Sequence, residues 1–326
     1  MKIKQIGCRT IDTVFLTEDG DVYQCSRQYD IPTLVPNIHN VIEIAYGENH
    51  SLFLVSNGDV YSIEDKKIST PTLIPNIHNV AQVACGYHHS LFLMKNGDVY
   101  GSGYNLYGQL GLQNNVQYDI PTLIPNIHNV VQIACGDDHT FFLTENGHVY
   151  GVGSNRKYQL GLPFINKLYS TPTLVRNIHN IVQIVCGGNH TLFLSVDGRV
   201  YGVGNNAYGQ LGVQSNNLYI PTLIPSIHNV TQIACGVLHS MFLTSDGRVY
   251  GCGDNAQHQI GLKDDGIYDI PTLIPNIYDI VYIACGPQYT FFLASDDRVY
   301  GCGYNINHQL GLEDKMVTTP TIIPIE

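Results

Sequence analysis

The chain has 326 residues, 44% of them hydrophobic but only 13% charged, with 32 glycines, 22 tyrosines and no tryptophan. This profile fits many short strands joined by Gly and Pro turns, and it excludes a fold of long helices. The formal net charge of −11 argues against a sequence-independent grip on nucleic-acid phosphates, so direct DNA binding is not expected.

From the start of the chain, Met1 to Cys8 lacks the apolar core of a signal peptide, and no later stretch is long and apolar enough to span a membrane. The expected setting is therefore a reducing intracellular space, cytoplasm or nucleus, without secretion. The nine cysteines agree with that setting, because they form no C-x-x-C pair and six of them (Cys8, Cys85, Cys135, Cys186, Cys235, Cys285) hold one position in successive repeats. Neither a disulfide framework nor a zinc site is expected. The small basic clusters Lys2/Lys4, Lys66-Lys67 and Arg156-Lys157 read as solvated surface.

Internal repetition decides the fold. A degenerate unit starts at Ile6 and a shortened one at Ile44; fuller units follow at Val83, Ile133, Ile184, Ile233 and Ile283, about 50 residues apart. Each unit reads as four short strands, exemplified by Pro121 to Ile124, Val130 to Ala134, Thr140 to Thr144 and Val149 to Gly151. Pairs such as Asn96-Gly97, Asn146-Gly147, Asp197-Gly198 and Asp246-Gly247 predict type I′ hairpin turns, with Asp296-Asp297 in that place in the seventh unit. Four antiparallel strands in a unit of this length make a propeller blade.

The expected architecture is all-β: a seven-bladed β-propeller with four-stranded antiparallel blades, one domain over residues 1–326. The last repeat, Pro320 to Glu326, aligns with the register of Pro121 to Ile127, where Met1 takes up the pattern at His128. That predicts a ring closed by strands from both termini, one blade being completed jointly. The stretches Tyr23 to Pro32 and Tyr61 to Pro71 are about eleven residues shorter than Tyr100 to Pro121 and its equivalents. Blades one and two, approximately 1–77, are thus expected to be shortened beside five full blades over approximately 78–326. The resulting dent is expected to favour docking of a partner or a second copy.

The repeated text C-G-x-x-H-[ST]-x-F-L-x-x-[ND]-G-x-V-Y-G-x-G-x-N-x-x-G-Q-L-G is clearest at Cys85 to Gly111, Cys135 to Gly161 and Cys186 to Gly212. It resembles the repeat of the regulator-of-chromosome-condensation family. The resemblance implies that family's seven-bladed propeller. It also implies a place among a guanine-nucleotide exchange factor that binds chromatin, ultraviolet photoreceptors and many adaptors. Three departures narrow the transfer: no tryptophan for a photoreceptor, short linkers without a nucleotide-levering wedge, and an acidic balance without a basic tail. The near-verbatim repeats rich in Asn, Ile, Tyr and Asp also resemble repeat proteins of large DNA viruses of protists.

Recurrent histidines are candidates for a metal or proton-active ring. His50, His89, His139, His190 and His239 occur once per blade, with Asp12 and Tyr289 in the remaining places. Recurrence disperses residues around a ring, whereas a site needs convergence, so each His is expected to anchor its own blade. His39, His78, His128, His179 and His228 lie in Asn-Ile-His-Asn or Ser-Ile-His-Asn links and read as turn chemistry. No nucleophile elbow, paired-carboxylate motif or phosphate loop occurs, so no catalytic, cofactor-binding or metal-binding residue is assigned. Tyr118, Tyr169, Tyr219 and Tyr268 read as packing anchors.

The variable pairs between the repeat Gly and His are the candidate partner-binding set: Glu48, Asn49, Tyr87, His88, Asp137, Asp138, Val237 and Leu238, with Gly188-Asn189 and Pro287-Gln288 in the other blades. Rigid strands would present these loops on one face. The expected function is a non-enzymatic protein-interaction scaffold with a protein partner and no cofactor. The alternatives are an exchange factor for a small GTPase and a histone-binding chromatin protein.

Overall fold

The second strand of each repeat carries at least three consecutive apolar residues, such as Phe141, Phe142 and Leu143, a pattern that is stable only where both faces of its sheet are covered. The computed structural model, which describes residues 1–26, 29–64, 70–163 and 165–325, meets this need with seven four-stranded antiparallel sheets side by side. Each is a contiguous meander, spanning 3–34, 41–73, 80–123, 130–174, 181–223, 230–273 and 280–322. Inner strands touch their neighbours in cyclic order, the first against the last. The chain is a seven-bladed β-propeller.

Blade four shows the local logic. Its strands are Val130–Cys135, His139–Thr144, Val149–Ser154 and Leu168–Leu174, ordered from the axis outward. Every residue of His139–Thr144 is buried, because neighbouring blades cover both faces. The core accordingly lies between blades: one cluster combines Phe141, Leu143 and Leu160 of blade four with Ile184, Phe193 and Val203 of blade five. The outermost strands Tyr118–Leu123 and Leu168–Leu174 carry only half-buried and exposed residues.

The hairpins between second and third strands differ from expectation. Gly147 is left-handed at φ 77°, but Asn146 is not, so the turn is not type I′. Instead the Gly147 N–H closes an i to i+3 turn on Thr144 O at 2.8 Å, and Asn146 Oδ1 accepts from Thr144 Oγ1 at 2.6 Å. The Asn side chain holds the turn while glycine alone takes the left-handed position. In the seventh blade Asp297 does so at φ 68°.

The ring also closes differently in one detail: among the described residues no sheet takes strands from both ends. The chain begins on an inner strand and ends on an outer one, so each blade is complete in itself. The ends meet as whole blades, with Ile3, Ile6 and Phe15 packed against Phe291, Leu293 and Leu310. Phe15 and Phe291 stack edge to face at 5.6 Å.

In blades three to six, the connection before the outer strand staples one blade to the next. Asn155 accepts from Leu160 N at 3.1 Å and donates to Leu162 O at 3.0 Å, folding the loop back on itself. Gly161, at φ 64°, then lies so close to Pro221 of the following blade that a Cβ would come within 2.8 Å of it. Blades one and two lack the Gln-Leu-Gly text. Lys66-Lys67 and Phe164 lie outside the described residues.

Candidate functional site

Two rings of side chains set the geometry of the axis. In the first, Gln5, Gln82, Gln132, Gln183 and Gln232 each use both amide atoms on the next blade's inner strand. Gln132, for instance, donates to Ile184 O at 3.2 Å and accepts from Ile184 N at 3.0 Å. The side-chain amide thus imitates a strand neighbour across the seam. Blade two carries Glu43 in this place; its Oε2 accepts from Val83 N at 3.1 Å. Burial pushes the Glu43 carboxyl up to about 7, against the opposing pull of the Val83 N–H and of Lys4.

The second ring is the histidine row, and here the expectation is corrected: each His bonds the next blade, not its own. Nε2 of His89, His139, His190 and His239 meets Thr140, Thr191, Ser240 and Thr290 at 2.9–3.0 Å, and His50 meets Ser90 at 2.8 Å. Thr191 Oγ1 donates to Gln159 O at 3.0 Å, so it accepts from His139, which must be the neutral Nε2–H tautomer. Burial lowers these imidazoles to about 3, and His50 to about 4. The Asn-Ile-His-Asn links behave as turns, with Asn126 and Asn129 both left-handed.

Above these rings the repeat Gly and Cys line a cavity of about 320 Å³ on the axis, with Tyr46 replacing Cys in blade two. The six axial cysteines are free and half-buried, and burial pushes the Cys135 and Cys235 thiols up to about 12. Among the described residues no three His, Cys, Asp or Glu side chains converge as metal ligands.

The variable pairs divide into two tiers. Glu48, Tyr87, Asp137 and Val237 stand on the wall of the axial cavity with Thr10, Gly188 and Pro287. Asn49, His88, Asp138 and Leu238 do not. The carbonyls of His88, Asp138 and Leu238 instead accept from Tyr104, Ser154 and Asp254, which ties their loops to the third strands. The rim is uneven: Glu48 and Asp137 face one side, Val237 and Pro287 the other. Burial raises the Asp137 carboxyl to about 6, with the Asp138 and Glu48 charges adding to it. The Glu48 carboxylate is also the chief cause of the raised Tyr87 phenol. Outward from Tyr87, His88, Tyr104 and Tyr107 follow edge to face, and the Arg156 guanidinium lies over Tyr107 at 5.0 Å.

Of the expected tyrosine anchors, Tyr118, Tyr169 and Tyr268 pack against core clusters. Tyr219 is 57% exposed, because Leu218 takes the inward position in that blade and one residue of register turns the side chain outward. The glutamine ring escaped sequence reasoning, although a Gln three residues before the repeat Cys is visible as a column.

Comparison with known proteins agrees with this geometry. The family model of the RCC1-like domain matches residues 29–326. Prp20p from Saccharomyces cerevisiae is similar at 25% identity and a TM-score of 0.79, over 90% of this chain and 80% of that one. Human WBSCR16 shares the fold, with 24% identity and a TM-score of 0.81 over 91% of this chain and 85% of that one. Protein pim1 from Schizosaccharomyces pombe is 36% identical over 52 residues, 16% of this chain and 10% of that protein.

Proposed function

The chain belongs to the RCC1-like domain family, and on that premise we propose that it is a non-enzymatic scaffold whose protein partner docks at the mouth of the axial cavity. One observation carries the reading: the residues that vary among near-identical repeats, Glu48, Tyr87, Asp137 and Val237, converge on a single rim. Recurring residues of the repeat build most seams, so chemical individuality is concentrated where a partner can read it. Thr10 and Glu48 come from the two shortened blades, which favours approach from that side.

The test is affinity capture with the full chain, scored by mass spectrometry, for the wild type and for Asp137→Arg. A partner set retained by the wild type and lost by the variant supports the reading. Equal capture by both overturns it.

A second reading follows from charge. Prp20p is described by its binding to Gsp1p and histones, and an acidic rim of Glu48 and Asp137 suits basic histone segments. Histone binding that weakens steeply with salt would support this version. Accelerated release of a fluorescent nucleotide from a small GTPase would instead favour exchange activity.

A further inference from the structure

A second cavity, of about 260 Å³, opens where blade seven meets blade one. Its walls are Thr10, Gln257, Pro287, Gln288, Tyr304 and Asn307, with Gln309 and Tyr289 completing them. Thr10 and Pro287 also wall the axial cavity, so the cleft and the mouth are continuous on one face. No acidic or basic side chain lines the cleft. Four primary amides and two exposed or half-buried hydroxyls do, in a space smaller than the roughly 300–1,000 Å³ of a cofactor pocket.

Gln309 is fully buried, yet its Nε2 has no hydrogen-bond partner among the described residues. Its counterparts show what is missing. Gln159 Nε2 donates to Asn189 of the next blade at 3.3 Å, and Gln259 Nε2 donates to Asp254 of its own blade at 3.1 Å. At the closing seam those two positions hold Ile11 and Tyr304, which remove both acceptors. Tyr104 has the same effect at the seam of blades three and four, leaving Gln109 Nε2 unpaired, but Asp138 holds the Asn189 position there. A buried donor left unmatched destabilises by about 1–3 kcal/mol, so an acceptor supplied from outside is favoured.

We infer that the cleft between blades seven and one binds an extended, uncharged peptide segment of the partner, with a main-chain or side-chain amide carbonyl accepting from Gln309 Nε2. Amides that both donate and accept match the alternating C=O and N–H groups of a peptide, and the neutral walls disfavour an ion or a charged tail. The inference rests on the mouth as a protein-docking surface and adds the segment's chemistry and path, outward over Pro287.

The test pans the full-length protein against a phage-displayed library of linear peptides, with a glycan array in parallel. Selected peptides are then measured on two variants. Gln309→Glu keeps the Oε1 that accepts from Asn307 N at 3.0 Å and replaces only the donor. Gln288→Arg crowds the exposed rim and leaves the buried floor intact, so it decides the matter if Gln309→Glu does not fold. Uncharged peptides are expected, each weakened at least about tenfold by either variant. The inference is overturned by peptides indifferent to both variants, by selection of charged peptides alone, by glycans binding in their place, or by a crystal structure showing an ordered water only. Peptides lost on Asp137→Arg yet indifferent to the cleft variants would sink the cleft and leave the mouth standing; capture of no protein partner would sink the mouth reading itself.

Discussion

Tyr289 of the last blade and Thr13 of the first, 276 residues apart, are joined by a 3.0 Å hydrogen bond in which the Thr13 hydroxyl donates to the phenol oxygen. The same phenol donates toward Arg9 O at 2.7 Å and Asp12 O at 3.0 Å. Tyr289 occupies the histidine position, and its longer reach spans the one seam where blade one offers no standard repeat text. Tyr289→Phe keeps the packing but leaves buried acceptors unmatched. It should lower unfolding free energy by about 1–3 kcal/mol. Urea denaturation measures this, and hydrogen exchange should quicken in the first and last inner strands. A loss near zero would mean that the ends are held by apolar packing alone.

The glycine before each histidine is a space requirement. A Cβ on Gly136 would lie 2.0 Å from His139 Cε1 and 2.7 Å from Gly187 O of the next blade. Blade one, where Asp12 replaces the His, carries Arg9 in the glycine position; its Nη1 donates to Ser51 across the seam at 3.3 Å. Gly136→Ala should destabilise by about 1–3 kcal/mol or more through overpacking. Gly266→Ala, with open space around it, should stay within about 0.5 kcal/mol of the wild type. Equal thermal stability of the two variants would contradict this account.

Blade number and phase are legible in the sequence because Cys135, His139, Gly147 and Gln159 recur as columns, and a repeat can bury its apolar faces only by stacking on copies of itself. The partner of each histidine is not legible. His139 and Thr140 are adjacent on a strand and therefore point to opposite faces, one to the following blade and one to the preceding blade. Their bonding is fixed by the sheet, not by their proximity. The candidate rim is half legible: variability marks Tyr87-His88 and Asp137-Asp138 as pairs, but only the tilt of the loop decides that Tyr87 and Asp137 face the axis. The orphaned Gln309 depends on Ile11, nearly the whole chain away, and no local pattern reports it.

Acid should loosen the seams. The buried histidines are lowered from 6.5 to about 3, and His50 to about 4, so the unfolded chain takes up protons that the folded one refuses. Their contribution is fully present above pH 6.5 and is lost as pH falls toward about 4 and then 3. Each histidine can remove up to ~1.4 kcal/mol per pH unit in that window. The raised carboxyls of Asp12, Glu43, Asp137 and Asp138 bind protons on folding and offset part of the slope. Urea midpoints measured across this range should decline on acidification, and His139→Asn should make the decline shallower by about one proton. A pH-independent midpoint would refute the neutral-imidazole seam.

Two seams depart from the glutamine pattern: blade seven carries Tyr282 in that column, and Glu43 gives the seam between blades two and three a carboxyl. Five other blades use glutamine, which both donates and accepts; ionised Glu43 can only accept from Val83 N. Blade two also lacks the Gln-Leu-Gly text that forms the staple elsewhere. Lys4 on the neighbouring inner strand favours the charged form, while Cys85 and Tyr282 face the same carboxyl and give it no positive charge. Because folding raises the carboxyl from 4.5 to about 7, the folded state holds a proton that the unfolded state has released. Stability therefore falls as pH rises from 4.5 to about 7 and is level beyond. Glu43→Gln removes this decline and supplies the missing donor toward Val83 O. The variant should equal the wild type near pH 4.5 and exceed it by about 1–3 kcal/mol above neutrality. Chemical denaturation at the two ends of the range measures the difference. A variant that loses stability at both would show that Glu43 serves the ring through its charge, held by Lys4, and not as an imperfect glutamine.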